Sequence, residues 1–561
     1  MTDTVAGIDD DVARLVRRYE TPTRVADVLC DRHARGGREA LLYDAPSGAR
    51  SVSFEQLTNQ SRNLAAALAE RGLGRGDRVA VLLPRSPELV AALLAIWRLG
   101  AVHVPLFTAF GPDAVTYRVE HSGAGAILTD TDNRAKVERS TGQEPAVFCL
   151  GAGWTGDLDL TRAIETPGAA DDCVLDPGDP FILLYTSGTT GRPKGVPVPV
   201  RALASFHAYL TYAIDLRPSD VFWNVSDPGW AYGLWYGLIG PLLLGHSTIL
   251  RAGAFDPAGA LAVIERHRVT NLAGSPTFYR ALRLHGVDPG FTQRTRLRAA
   301  SSAGEPLSPE LLDWSAEHLG TPIHDHYGQS EVGMVVGFAH RPGPAGPPRP
   351  GLMGWALPGF RAVILDAGGR PAQAGTPGEL ALDTTASPLF WFDGYYRAPD
   401  KTAERFPYGP RYYVTGDTAE LRPDGTFGSA TRADDVITSS GYRIGPYDVE
   451  TALHAHPAVA QAAVFGTPDE LRGEAVTAAI VLTDRSAAGD DLVVELQHHV
   501  RTRLGKHLYP RRIMFVDELP STPSGKIQRR VLRDSWQSSS ADSPQAIGPR
   551  RRTRPSDGSS G

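Results

Sequence analysis

Residues Leu183–Val196 read LLYTSGTTGRPKGV, and this segment decides how the rest of the chain is read. An apolar run ending at Tyr185 enters a loop of Thr186, Ser187, Gly188, Thr189, Thr190 and Gly191, closed by Lys194 and Gly195. Glycines let a backbone turn sharply and approach an anion closely. Hydroxyls and backbone N–H groups donate to phosphate oxygens, and a lysine supplies positive charge. The segment therefore predicts a buried strand followed by a phosphate-binding loop. A P-loop NTPase needs GxxxxGK[ST] opening a helix. Here proline precedes Lys194 and glycine follows it, an order that suits a loop and not a helix N-terminus.

Upstream of the loop, Phe54–Arg71 carries apolar residues at helical spacing, Arg78–Leu83 reads as a strand, Pro87–Leu99 as a helix and Ala101–Leu106 as a strand. Further strands are expected at Ala126–Thr129, Phe181–Tyr185, Ser247–Leu250 and Val269–Leu272. This alternation implies an α/β fold built on parallel sheets. Beyond Asp434 the texture changes to a short helix–strand–strand–helix–strand run through Val516. The expected organisation is a large N-terminal domain over residues 1–433, a smaller α+β domain over 434–535, and a Ser-, Pro- and Arg-rich tail over 536–561. Such a tail cannot bury enough apolar surface to order itself.

Composition narrows the class. The 561 residues are 42% hydrophobic and 21% charged with formal net charge −6, the profile of a globular protein and a poor match for nucleic acid as partner. Cys30, Cys149 and Cys173 lie far apart, without ligand spacing, so neither a disulfide framework nor structural zinc is expected. The first twenty residues lack an apolar signal core. The most apolar stretch, Gly233–Leu250, contains four glycines, a proline and a histidine, and reads as a buried segment instead of a membrane span. A cytoplasmic location is the expectation.

The phosphate loop resembles that of the adenylate-forming superfamily, which comprises acyl- and aryl-CoA synthetases, luciferases and peptide-synthetase adenylation domains. Further motifs of that family follow in order. Ser302–Leu307, SAGEPL, resembles its adenine-binding turn through Gly304, Glu305 and Pro306. Asp325–Gly333, DHYGQSEVG, resembles the segment that meets adenine, phosphate and magnesium. Tyr413–Thr418, Thr431–Glu450 and Pro523–Arg530 resemble the ribose, hinge and C-terminal lysine motifs. The resemblance spans roughly residues 20–535. It implies large layered sheets flanked by helices, a small β-barrel and a mobile C-terminal domain.

It also implies roles for single residues. ATP would be held by the loop residues 186–191 and Lys194, by Gly304–Pro306, by Asp325, His326, Tyr327, Gly328, Gln329 and Ser330, and by Asp417, Arg432 and Arg443. Within that set Tyr327 stacks on adenine, Ser330 meets phosphate, and Asp417 takes the ribose hydroxyls. Glu331 is the Mg²⁺ ligand, which suits a cation that prefers one or two carboxylates plus phosphate oxygens. Lys526 is the catalytic lysine, aimed at charge that develops as pyrophosphate leaves, with Thr186, Lys194 and Glu331 assisting. Asp434 is the hinge. Ser440, Gly441, Tyr442 and Arg472 would serve coenzyme A. Thr431 stands where the family usually has glycine.

Residues 220–245 and Phe110–Arg118 look most like acetyl- and medium-chain acyl-CoA synthetases. By that likeness Trp230, Ala231, Tyr232, Ala303 and Gly328 line the acyl pocket. A tryptophan seals the pocket of acetate-specific members at the position held here by Gly328. The expected reaction is activation of an acid larger than acetate to acyl-AMP, then transfer to coenzyme A. The alternative is a stand-alone adenylating enzyme that passes the acyl group to a carrier protein or another nucleophile. The acid itself and the oligomeric state stay open.

Overall fold

The computed structural model describes residues 2–137, 145–151, 153–186, 192–304, 307, 309–341, 346–349, 351–428, 431–432, 437–444, 446–485, 488–520 and 529–541. Strand Pro180–Thr186 pairs antiparallel with Lys194–Pro199, and Thr186 faces Lys194 across the pair. The phosphate loop thus closes a hairpin and opens no helix, which removes the P-loop alternative. Phe181 through Tyr185 are all buried, as befits an apolar run in a sheet interior.

This hairpin edges a seven-stranded sheet whose order is Leu158–Asp159, Ala146–Leu150, Ala126–Asp130, Arg78–Leu82, Val102–Pro105, Pro180–Thr186, Lys194–Pro199. Every neighbouring pair except the last is parallel. The helices that flank Arg78–Leu82 in the chain start where the sequence supplies caps. Ser53 and Gln56 form a reciprocal capping box ahead of Phe54–Ala69. The Ser86 hydroxyl accepts from Leu89 N ahead of Pro87–Arg98, with proline at the first helical position.

A ten-stranded sheet forms the second layer. It is parallel from Glu39–Ala45 through Thr248–Arg251, Phe222–Asn224, Asn271–Gly274 and Ala299–Ala303 to Ile323–Gln329, and antiparallel at both ends. The adenine and magnesium motifs therefore sit at the C-terminal ends of adjacent parallel strands, where ligands of open α/β sheets bind. The apolar stretch after Trp230 is a π-helical run, Tyr232–Ile239, continued by Gly240–Leu243 and buried throughout from Gly233. Among the described residues no helix is long and apolar enough to cross a membrane.

Where the sequence implied a small barrel, the described strands Ala362–Leu365, Pro377–Asp383, Tyr412–Glu420 and Thr431–Arg432 form a four-stranded antiparallel sheet. The C-terminal region has its own core, with Ile437, Ile444, Leu453, Val464, Ile480 and Leu496 among its buried members. Its last described helix, Arg529–Ala541, runs on past Ser535.

The segment before Phe54 holds more structure than its sequence announced. Helix Thr2–Tyr19 buries Val12 and Tyr19 and half-buries Ile8, Leu15 and Val16, a single face at helical spacing. The acidic run Asp9–Asp11 and the pair Arg17–Arg18 lie between those positions and mask the pattern.

Candidate active site

The residues expected at the phosphate end of the site come from three separate stretches of chain. Thr186 ends its strand with a buried Oγ1 that has no hydrogen-bond partner among the described residues. Lys194 faces it across the hairpin and lies over the ring of Tyr395, 4.4 Å from Nζ to the ring centre. Glu331 occupies the turn after Ile323–Gln329 and is buried. The Tyr395 hydroxyl donates to Glu331 Oε1 at 2.6 Å and accepts from Arg405 Nε at 3.0 Å. Burial pulls the Lys194 pKa below its ordinary value, Arg405 adding to the effect and the Glu331 carboxylate opposing it. Burial and then Glu331 push the Tyr395 phenol up, so it keeps its proton and serves as donor.

The residues expected to meet the nucleoside form a hydrogen-bonded ring of polar groups. The Tyr327 hydroxyl donates to Asp417 Oδ2 at 2.6 Å. Gln329 Nε2 donates to the same oxygen at 3.0 Å and to the Thr415 carbonyl at 2.9 Å, while its Oε1 accepts from the Tyr413 hydroxyl at 2.9 Å. Asp417 also pairs with Arg432 in the backbone ladder, the last ladder before residue 434. Gly304 has φ +97°, and a Cβ there would meet nothing, so its glycine answers to backbone conformation and not to crowding. Ser330 is half-buried beside Glu331. His326 is buried, with Nδ1 2.7 Å from the Tyr209 hydroxyl and Nε2 3.1 Å from the Phe338 carbonyl, so both ring nitrogens are engaged within the protein. Asp325 is half-buried.

Ser187–Gly191, Glu305, Pro306, Asp434 and Lys526 lie outside the described residues, and Arg432 and Arg443 are placed by their backbone alone.

The residues expected to line the acyl pocket meet the C-terminal domain at Trp230. Ser440 and Gly441, with φ of 54° and 79°, link strands Ile437–Ser439 and Tyr442–Ile444 in a hairpin turn with two left-handed residues. That turn presents Tyr442 to the N-terminal domain, 5.6 Å between ring centres from Phe107 and 5.2 Å from Trp230. His507 joins the cluster at 4.6 Å from Tyr442. The Arg472 carbonyl accepts from Ser440 N at 2.9 Å. Backbones also touch directly: Phe110 and Gly505 form an antiparallel bridge, and a Cβ on Gly111 would overlap the Arg503 carbonyl. Ala231 and Tyr232 are half-buried next to Trp230, and Ala303 is buried. A Cβ on Gly328 would overlap the Gly333 carbonyl, so no side chain fits there without a backbone shift.

Among the described residues no group of three or more His, Cys, Asp or Glu converges to cage a metal. The buried Glu331 carboxylate, joined through Tyr395 to the hairpin of Lys194 and Thr186, fits a Mg²⁺ that arrives with phosphate oxygens as most of its ligands. Tyr395 and Arg405 carried no local motif and were not foreseen. Their signal was only the Tyr-Tyr-Arg and Glu-Arg-Phe text of a loop near the ribose motif.

A buried carboxylate tied to Tyr395, a hydrogen-bonded ring around Asp417 and a second domain packed on Phe107 and Trp230 are what a nucleotide-dependent acyl-activating enzyme requires. The chain belongs to the AMP-binding enzymes, and within them to the acyl-CoA synthetases, the AMP-forming acid–thiol ligases. The family model for the AMP-binding enzyme matches residues 30–396, and that for the AMP-binding enzyme C-terminal domain matches residues 448–526. The uncharacterized acyl-CoA ligase YtcI of Bacillus subtilis is 35% identical over 511 residues, 89% of this chain and 93% of that protein. An acyl-CoA synthetase of Brucella canis is 45% identical with TM-score 0.71, covering 94% of this chain and 99% of that one. The amide bond synthetase McbA of Marinactinospora thermotolerans is 28% identical with TM-score 0.76, covering 90% and 99%.

Proposed function

We propose that this enzyme activates a carboxylic acid larger than acetate and delivers it to coenzyme A. In the first step a carboxylate oxygen attacks the α-phosphorus of ATP, and the bond to pyrophosphate breaks. Lys194 and the loop hydroxyls, starting with Thr186, take the phosphate charge; Asp417 and Tyr327 fix the nucleoside. Catalysis of this kind is mostly positioning and charge neutralisation. Glu331 would hold Mg²⁺, whose chemistry is to neutralise phosphate oxygens, and Tyr395 orients that carboxylate. Lys526 would stabilise the departing pyrophosphate. In the second step the thiolate attacks the acyl carbonyl and AMP leaves.

The observation that carries the acceptor reading is the packing of Tyr442 against Phe107 and Trp230, which brings the Ser440–Gly441 turn to the acyl end of the site. Small side chains at Ala231 and Ala303 support an acid with several carbons, each buried methylene being worth about 0.8 kcal/mol. A second reading draws on the likeness to McbA: an amine could attack the same adenylate in place of the thiol.

The test is product analysis with MgATP and acids from acetate to decanoate, isobutyrate, benzoate and cinnamate, with and without coenzyme A. Thioester formation that favours a longer or aryl acid supports the reading. A preference for acetate, or acyl-AMP that accumulates whether or not coenzyme A is present, overturns it.

A further inference from the structure

We infer that the acyl pocket selects carboxylic acids bearing a hydrogen-bond donor, a hydroxyl or an amine, because the Tyr232 hydroxyl is held as an acceptor by a one-way chain of hydrogen bonds through Tyr209 and His326. The inference rests on the reading of Tyr232 as a pocket wall.

The direction of the chain follows from its far end. The Phe338 carbonyl can only accept, so the proton of the His326 imidazole lies on Nε2, 3.1 Å away. Burial holds this histidine neutral, its pKa pushed down to about 3. Nδ1 is then a bare acceptor, and the Tyr209 hydroxyl at 2.7 Å donates to it. That uses the single proton of Tyr209. Its oxygen faces the Tyr232 hydroxyl at 3.3 Å, where Tyr232 must be the donor. The Tyr232 proton points inward along the chain, and its remaining lone pair is left for the pocket. Burial, with the Asp325 carboxylate adding to it, raises the pKa of both phenols, so neither gives up the proton that fixes the direction.

The three groups are held in place by what surrounds them. Tyr209 opens a π-helical turn, Tyr209–Ala213, and Tyr232 opens another, Tyr232–Ile239. Single π turns recur at functional sites because the extra residue re-aims a side chain. Asn224 Nδ2 donates to the Tyr232 carbonyl at 3.2 Å. Tyr236 packs 4.2 Å from Tyr209 between ring centres, and its own hydroxyl accepts from Met334 N at 3.1 Å. A wall so fixed cannot turn its proton outward for one substrate and inward for the next. A group with an O–H or N–H finds a partner there. A keto or formyl oxygen meets a lone pair and loses the water it gave up on entry.

The test compares kcat/KM for acid-dependent pyrophosphate release across matched acids. The set is the hydroxy- and aminobenzoates and the hydroxyhexanoates, each against its unsubstituted parent and its formyl or keto counterpart. At the substituent position that reaches Tyr232, the donor-bearing acid is expected to exceed the acceptor-only acid by about tenfold. In Tyr232→Phe that ratio collapses towards one. In Tyr209→Phe the Tyr232 proton is released, and the preference moves towards the acceptor-bearing acid, a reversal that lost packing alone does not produce. Equal kcat/KM for donor and acceptor-only acids at every position in the unmodified enzyme overturns the inference and leaves acyl activation standing. Absence of pyrophosphate release with any acid overturns both.

Discussion

Tyr395 donates its phenolic proton to Glu331, 2.6 Å from hydroxyl to Oε1, while Arg405 donates to the same hydroxyl from the other side at 3.0 Å. The tyrosine thus relays the hold of a half-buried guanidinium onto the carboxylate expected to meet Mg²⁺. Hydrogen bonds to charged groups are worth about 1.5–3 kcal/mol. Tyr395→Phe should therefore slow pyrophosphate release about 10- to 100-fold and raise the Mg²⁺ concentration that gives half the maximal rate. A magnesium titration of variant and parent reads both effects. An unchanged magnesium requirement would remove Tyr395 from this role.

Asp417 accepts from both Tyr327 and Gln329, so its loss unties the tyrosine proposed to stack on adenine as well as the proposed ribose contact. Asp417→Ala is expected to raise the KM for ATP at least about tenfold, with the KM for the acid little changed. Steady-state kinetics with each substrate varied in turn separate the two. Equal rises in both constants would point to general damage instead.

Gly111 and Gly505 let two backbones touch across the domain boundary, and a Cβ at either would overlap a carbonyl of the opposite domain, Arg503 or Ala109. Gly505 also has φ +111°, a conformation that resists any side chain. Gly111→Ala should disfavour this docked arrangement and slow thioester formation about tenfold or more, with adenylation close to the parent. Single-turnover measurement of each half-reaction decides the point. Adenylation falling in parallel with thioester formation would contradict it.

His507 adds a pH dependence to the same contact. It lies among Phe107, Phe110, Trp230 and Tyr442, with Arg118 and Arg511 as the charged neighbours, and its Nδ1 is buried without a partner among the described residues. Burial lowers its pKa from 6.5 to about 3. Undocked, the imidazole returns towards 6.5, so the undocked form binds more protons throughout the window between these values. The contribution of neutral His507 to docking is fully present above about pH 6.5 and is lost as pH falls through the window, by up to about 1.4 kcal/mol per unit. Thioester formation should consequently drop faster than adenylation between pH 7.5 and 5.5, and His507→Gln should flatten the difference. Parallel pH profiles for the two half-reactions in the parent would exclude the effect.

The parallel α/β core was legible because its cues are local. Ser53 with Gln56, and Ser86 with Pro87, mark helix starts, and the apolar runs at Arg78–Leu82 and Phe181–Tyr185 have no competing period. The candidate nucleotide motifs stand out in the sequence because glycines, hydroxyls and Glu331 are contiguous in short segments. What escaped depends on distance in sequence. Tyr395 and Glu331 are 64 positions apart, and Tyr209 and His326 are 117 apart. No periodicity links such pairs; only the strand order brings them together. The N-terminal helix escaped for a different reason, since charge crowds the positions between its buried residues.

The ladder pair Asp417–Arg432 has a consequence for how the two domains find each other. Thr431–Arg432 is also the last described strand before the second domain, so the chain leaves for that domain from the edge of the proposed nucleotide site. The connection from residue 432 to residue 437 can span at most about 18 Å. A body leashed that tightly experiences the nucleotide site at an effective concentration in the millimolar range or above. Free domains would have to meet by diffusion; here each return to the site is a unimolecular event.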